Sequence, residues 1–356
     1  MPDDAGPICS YNKMINGEIG GGKEAADLEE NRQLVREVTD QVNRVILGKK
    51  KEVEEIMLSF LAGGHVLLED IPGVGKTTMA LAFSRAMDLE YRRIQFTPDV
   101  LPSDLTGFSI YRRETESFVY QQGSVFCNLL LADEINRTSP KTQSALLEVM
   151  EERKVTVEGV TRSVPEPFLV IATQNPSGAV GTQLLPEAQV DRFMICLSIG
   201  YPDFDSELAM ALGISKDRRL DSVKRVIDAK TLSGLQREVG SVYLKEEVGG
   251  YIVNLVRATR QSPYLERGGS PRATVALVKM AKASAWMDGR DYVMPKDAEE
   301  QFPFVMRHRM VRNDSAAMEG IAKAEILSRI AGEVEKPRMG RRFPAGFGEK
   351  QSKERR

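Results

Sequence analysis

The sequence predicts an α/β protein: a core built on a mostly parallel β-sheet that carries a phosphate-binding loop, followed by a C-terminal all-helical domain. Three observations predict it. The stretch from His65 to Thr78 reads as an apolar strand, a Pro-Gly turn and the start of a helix. Short continuous apolar strands alternate with helical stripes around it, the pattern of a sheet covered on both faces. Beyond Tyr201-Pro202 the strand signals mostly stop and apolar residues recur at helical spacing.

Composition limits the function classes. At 356 residues the chain is long enough for two domains. The formal net charge of −2 leaves no global field that would attract nucleic acid or an anionic membrane. Cys9, Cys127 and Cys196 are far apart, and His65 and His308 are the only histidines, so no metal-ligand spacing exists. Cys127 and Cys196 lie in apolar runs and read as buried thiols, which fits a reducing cytosol. No apolar signal core or membrane-length apolar run occurs, so a cytoplasmic location without a membrane span is expected.

In chain order, residues 1–27, with Gly20-Gly21-Gly22, predict a disordered leader. An α/β core is expected over 28–201. It opens with two helices, one striped by Val35, Val38, Val42, Val45 and Ile46, the other by Val53, Ile56, Met57 and Phe60. After the phosphate loop come strands near 92–96, 128–133, 168–173 and 193–199. Two hairpin inserts interrupt them near 108–121 and 153–165, the second around Glu158-Gly159. Between the hairpins a helix is signalled by Ser139 as cap and Pro140 at its first position. Stripes at Leu208 and Leu212, at Val248, Ile252 and Leu255, at Val275, Val278 and Ala281, and at Phe302 and Val305 predict the helical domain over 202–333, with Trp286 in its core. Residues 334–356 read as a basic disordered tail.

The chemistry-bearing residues sit at strand ends. Pro72, Gly73, Val74, Gly75, Lys76, Thr77 and Thr78 form the loop: its glycines let backbone N–H groups curl round phosphate oxygens at a helix N-terminus. Lys76 suits the β- and γ-phosphates and the Thr77 hydroxyl a Mg²⁺ ion. The general pattern has glycine where this chain has Asp70, but that position precedes the phosphate-holding amides. Leu129-Leu130-Leu131-Ala132 ends in Asp133, suited to hold Mg²⁺, and Glu134, suited to orient and deprotonate water. Asn175 follows the next strand, where a neutral amide can sense the terminal phosphate, or it is a turn residue before Pro176. Arg192 precedes the last strand, away from its own nucleotide, and reads as an arginine finger in trans. The competing reading is an ion pair with Asp191 or Glu187. Arg272 opens a helix of the second domain, from which a lid could reach phosphate.

Together these residues resemble an AAA+ ATPase, and closely its MoxR family, over about residues 34–328. The specific matches are Arg93-Ile94-Gln95-Phe96-Thr97-Pro98-Asp99, Leu101-Pro102-Ser103-Asp104-Leu105-Thr106-Gly107, the run through Asp133-Glu134 to Arg137, and the stretches around Asn175, Arg192 and Arg272. The resemblance implies an AAA+ P-loop NTPase core and a helical lid, with ATP and Mg²⁺ bound between them near the subunit junctions of a homo-oligomeric ring, often a hexamer. It implies that Ile46 and Gly48 line the adenine pocket, and that the two hairpins face the pore or the client. It also implies chaperone-like remodelling of protein complexes or help with metal-cofactor insertion, commonly with partners carrying a von Willebrand factor A domain. Two other readings compete. A DNA-dependent AAA+ motor is disfavoured, because Arg112 and Arg113 in the first hairpin are offset by Glu114 and Glu116, and the second carries only Arg162 as an extra basic residue. A nucleotide-gated scaffold that barely turns ATP over is the other.

Overall fold

The computed structural model describes residues 21–69, 74–174, 185–201, 204–212 and 220–337. Its centre is a five-stranded sheet of β1 (Val66–Glu69), β2 (Tyr91–Gln95), β5 (Leu129–Asp133), β8 (Leu169–Gln174) and β9 (Ile195–Leu197). The order is β2-β5-β8-β1-β9, every pairing parallel. Alternate residues of the inner strands face opposite layers. Leu68, Leu131 and Ile171 join one apolar cluster, and Leu67, Leu130 and Val170 the other. That two-sided burial is why these strands read as continuous apolar runs. The edge strand β2 breaks the pattern, carrying exposed Arg93 and Gln95 near its end.

Helices α1 (Gly21–Val45), α2 (Lys50–Leu61) and α3 (Lys76–Ala86) cover one face, and α5 (Pro140–Glu152) covers the other, beyond the short α4 (Pro102–Thr106). Ser139 caps α5 by accepting from the Thr142 amide, with Pro140 first in the helix, as the sequence predicts. The helix α1 begins at Gly21, so the expected leader of 1–27 ends inside it; residues 1–20 lie outside the described residues.

The inserts are the antiparallel hairpins β3 (Phe108–Arg112) with β4 (Ser117–Gln121), and β6 (Lys154–Val157) with β7 (Val160–Ser163). They touch: Ser109 Oγ donates to Glu158 Oε2 at 2.6 Å, and Arg162 lies 3.8 Å from the centroid of the Tyr120 ring. Gly107 enters the first hairpin at φ 90°, and a Cβ there would meet the Gln121 carbonyl and the Tyr120 ring, so only glycine fits.

After the four-residue α6 (Glu187–Val190) and after β9 come α7 (Phe204–Ala211), α8 (Ala229–Ser241), α9 (Glu246–Gln261), α10 (Pro271–Met287), α11 (Pro295–Met306), α12 (Asp314–Met318) and α13 (Lys323–Glu333). Among its described residues the second domain is helical apart from a ribbon of β10 (Leu265–Arg267) and β11 (Val311–Arg312). Trp286 is buried there. Two of its predicted stripes need correction. Leu208 and Leu212 are exposed, and Val275 is exposed because α10 buries Ala273, Ala276, Leu277 and Met280 instead. Residues 338–356 of the expected tail lie outside the described residues.

The two domains share one apolar cluster, and α2 meets α11 at a polar contact within it. Gln301 Nε2 donates to Glu55 Oε1 at 3.5 Å, while Glu55 Oε2 and Gln301 Oε1 have no partner. Burial pushes the Glu55 carboxyl up to about 7, against the pull of the Gln301 hydrogen bond and Lys51. The native state thus holds a proton that the unfolded chain releases above its ordinary value near 4.5. Stability contributed by this group is present at low pH and is lost as pH rises from about 4.5 to 7. Glu55→Gln removes the titration. It is expected to raise the melting temperature at pH 8 by several degrees, on the order of 3 kcal/mol, and to change it little near pH 4.5, as read by calorimetry at both pH values.

Candidate functional site

At the upper, C-terminal edge of the sheet, β1 ends at Glu69, and Pro72 and Gly73 lie outside the described residues. Gly75, at φ 93° and ψ 14°, is the N-cap of α3. A Cβ there would meet nothing within 4 Å, so glycine is required by the left-handed backbone, not by crowding. No side chain among the described residues caps α3, which leaves the amides of its first turn, at the positive end of the helix dipole, suited to an anion. Lys76 is buried in that turn, with Val74, Thr77 and Thr78 half-buried around it.

The acidic pair closes β5, two strands away from β1 with β8 between them, so about 10 Å separates it from the loop at ordinary strand spacing. That gap suits a terminal phosphate and a water. Glu134 adopts the left-handed conformation at φ 56° and ψ 47°, a departure costing on the order of 1 kcal/mol for a non-glycine residue. Thr173 of β8 supports it: its hydroxyl accepts from the Glu134 amide at 2.8 Å and donates to Asp133 Oδ1 at 2.6 Å. Asp133 Oδ2 accepts from Arg93 at 2.7 Å. Glu134 Oε2 accepts from Gln95 Nε2 and from Arg137 NH1, each at 2.8 Å.

Among the described residues no three His, Cys, Asp or Glu side chains gather as a metal cage. The set fits a Mg²⁺ ion completed by phosphate oxygens and water, which needs only one or two protein ligands. Asn175, expected beside this pair, lies outside the described residues, although Gln174 ends β8 at the same edge.

Arg192 lies at the opposite end of the sheet. The Met194 amide donates to the His65 carbonyl at 2.8 Å and Ile195 pairs with Val66, so Arg192 precedes the N-terminal ends of the strands. The length of β1, roughly 13 Å, separates it from its own phosphate loop. Arg272, expected to reach phosphate from the lid, is here too. Arg192 Nε and Arg272 NH2 donate to the two oxygens of Glu151, at 2.8 and 2.6 Å. The lid therefore brings Arg272 beside Arg192, not to the loop of its own chain. The alternative ion pairs for Arg192 do not form: Asp191 accepts from Arg309 Nε and Ser270 Oγ, each at 2.7 Å, and Glu187 pairs with Arg267.

Ile46 is buried and Gly48, at φ 71°, lies in the turn between α1 and α2; the next residue, Lys49, donates from Nζ to the Tyr201 carbonyl at 2.8 Å. Both histidines are structural. Desolvation holds His65 and His308 well below their ordinary range, and each ring meets backbone, at Met150 and Phe193. Sequence reasoning missed Arg93, Gln95, Arg137, Thr173 and Glu151. For Arg93 and Gln95 a signal existed: polar residues two apart at the end of a strand share a face and point at whatever the next strand presents.

The sheet order, the loop at its upper edge and the strand-end acidic pair define an ATPase of the AAA type. The family model for the ATPase family associated with various cellular activities (AAA) matches residues 65–195, and that for the AAA lid domain matches 257–330. A Bacillus subtilis protein, YeaC, is 46% identical over 309 residues, 87% of this chain and 97% of that one. Chaperone MoxR1 of Mycobacterium tuberculosis is 39% identical over 310 residues, 84% of this chain and 81% of that one. The crystal structure of a candidate ATPase from Cytophaga hutchinsonii superposes with TM-score 0.82 at 38% identity, covering 89% of this chain and 99% of that one. The chain belongs to the MoxR family of AAA+ ATPases. No helix among the described residues is long and apolar enough to cross a membrane.

Proposed function

We propose that this protein is a Mg²⁺-dependent ATPase that assembles into a homo-oligomeric ring, with six subunits the expected number, hydrolyses ATP at the subunit junctions and uses the cycle to remodel a protein client in the cytoplasm. The observation that carries the reading is the division of charge between the two ends of the sheet. Lys76, Asp133 and Glu134 lie at one end and Arg192 with Arg272 at the other, so a complete phosphoryl-transfer site needs the upper edge of one subunit and the lower edge of the next. A head-to-tail contact of this kind closes into a ring when the rotation between subunits closes.

Within such a site, the loop from Pro72 to Thr78 would hold the phosphates, with Ile46 and Gly48 beside the adenine. Thr77 and Asp133 would hold Mg²⁺, which neutralises charge on the phosphate oxygens when bound. Glu134, aimed by Gln95 and Arg137, takes the proton of the attacking water, and Asn175 orients that water against the terminal phosphate. Arg192 and Arg272 of the neighbour stabilise charge as the phosphoryl group transfers.

A protein client is favoured by the first hairpin, whose Phe108, Ile110, Tyr111 and Phe118 are exposed apolar side chains, with Tyr111 and Phe118 in edge-to-face contact at 5.4 Å. Its counterpart Arg162 is engaged over Tyr120. The chaperone name of the mycobacterial relative agrees, and a partner with a von Willebrand factor A domain or a metal-cofactor enzyme is the client type the family resemblance suggests. The test measures ATP turnover with and without duplex DNA at low and high salt. Rates within about twofold are expected throughout, and salt-sensitive stimulation by DNA would instead make this a nucleic-acid motor.

A further inference from the structure

The lower face holds a carboxylate that the proposed chemistry does not use. Glu151, near the end of α5, gives one oxygen to each arginine, 2.8 Å to Arg192 and 2.6 Å to Arg272. The three residues come from different elements. Glu151 belongs to a core helix, Arg192 to the turn before β9, and Arg272 to the first turn of the lid helix α10. Two guanidinium groups sharing one carboxylate stand only a few ångströms apart, where like charges repel. Glu151 is what makes that spacing favourable.

A second link runs parallel to the first. Ser270, the cap of α10, accepts from the Arg272 amide at 3.0 Å and donates to Asp191 at 2.7 Å. Asp191 is fixed in turn by Arg309, whose side chain is 3% exposed. The backbones at Arg192 and Arg272 are thus tied by Asp191 and Ser270, and their charged ends by Glu151. Each arginine gives Glu151 a single nitrogen and retains others in its planar fork, a geometry matched to phosphate oxygens.

We propose that Glu151 is a positioning residue that holds Arg192 and Arg272 as one two-armed clamp for the terminal phosphate of the neighbouring subunit's nucleotide. This rests on the reading of both arginines as acting in trans. Glu151 stands behind the clamp and touches no reacting atom. Because it joins a core arginine to a lid arginine, it also makes the orientation of the lid part of the neighbour's active site.

The test uses the full-length assembled protein with Glu151→Ala and Glu151→Asp. Glu151→Ala is expected to lower kcat about tenfold with KM for ATP within about twofold, since the substrate's own loop is intact and only the clamp is loosened. Glu151→Asp, which keeps the charge on a shorter stem, should recover part of the loss. A readout independent of turnover is the modification of arginines by phenylglyoxal, mapped by peptide mass spectrometry without nucleotide: both Arg192 and Arg272 should react faster in Glu151→Ala. Unchanged reactivity of the two arginines, or an equal kcat loss when Glu151→Ala is added to an Arg272→Ala chain, overturns the positioning role. Failure of the trans reading looks different: a co-assembled mixture of Arg192→Ala and Lys76→Ala chains would then show no rescue, whatever the reactivity of the arginines.

Discussion

Replacing Glu134 with glutamine is expected to lower ATP turnover at least about a hundredfold while leaving ATP affinity near that of the wild type. The substitution keeps the shape of the side chain and an oxygen that can still accept from Gln95 and Arg137, so the left-handed turn at φ 56° and the Thr173 contact have no reason to change. What it removes is the negative charge that can take a proton from water. In the proposed site, binding depends on groups elsewhere, the α3 amides, Lys76 and Thr77. Single-turnover hydrolysis together with fluorescent nucleotide titration checks both halves, and wild-type turnover in the variant would sink the assignment of Glu134. The same variant, held with ATP bound, is the natural bait for a client.

Mixing two inactive chains is expected to restore activity. Lys76→Ala lacks the cation for its own phosphates, and Arg192→Ala lacks the group offered to the neighbour, so each homogeneous ring should be nearly inactive. In a one-to-one mixture some junctions pair the intact loop of one chain with the intact finger of the other. If subunits assort at random and junctions act independently, turnover should return to about a quarter of the wild-type rate. The geometry makes the result decisive, because β1 lies between Lys76 and Arg192 within one chain and no side chain spans it. Absence of rescue in rings shown to contain both chains would place the finger's action elsewhere.

Legibility in the sequence followed locality. The loop, the acidic pair and both hairpins were readable because each depends on a few consecutive residues: an apolar strand announces its own end, and the residue after it must emerge at the sheet edge. The sequence reads no helix before residue 28 because Gly20-Gly21-Gly22 argue against one by propensity, whereas α1 begins at Gly21. The stripe on α10 was misread by one position, since Val275 is apolar by type and exposed by placement.

By itself the sequence determined the end of the sheet at which Lys76, Asp133 and Glu134 emerge, because strand direction and turn chemistry are local properties. Only the tertiary structure decided where the two arginines lie. Arg272 lies 121 positions from Glu151, and nothing in the spacing of residues could say whether the lid delivers it to the phosphate loop or to the opposite face. The packing of α10 and α11 on the core, through the shared apolar cluster and the Asp191 contacts, chose the opposite face. Contacts of that range exist only once both domains have buried their apolar surfaces together, which is why the lid's Arg272 meets a core-helix glutamate that no local spacing could name.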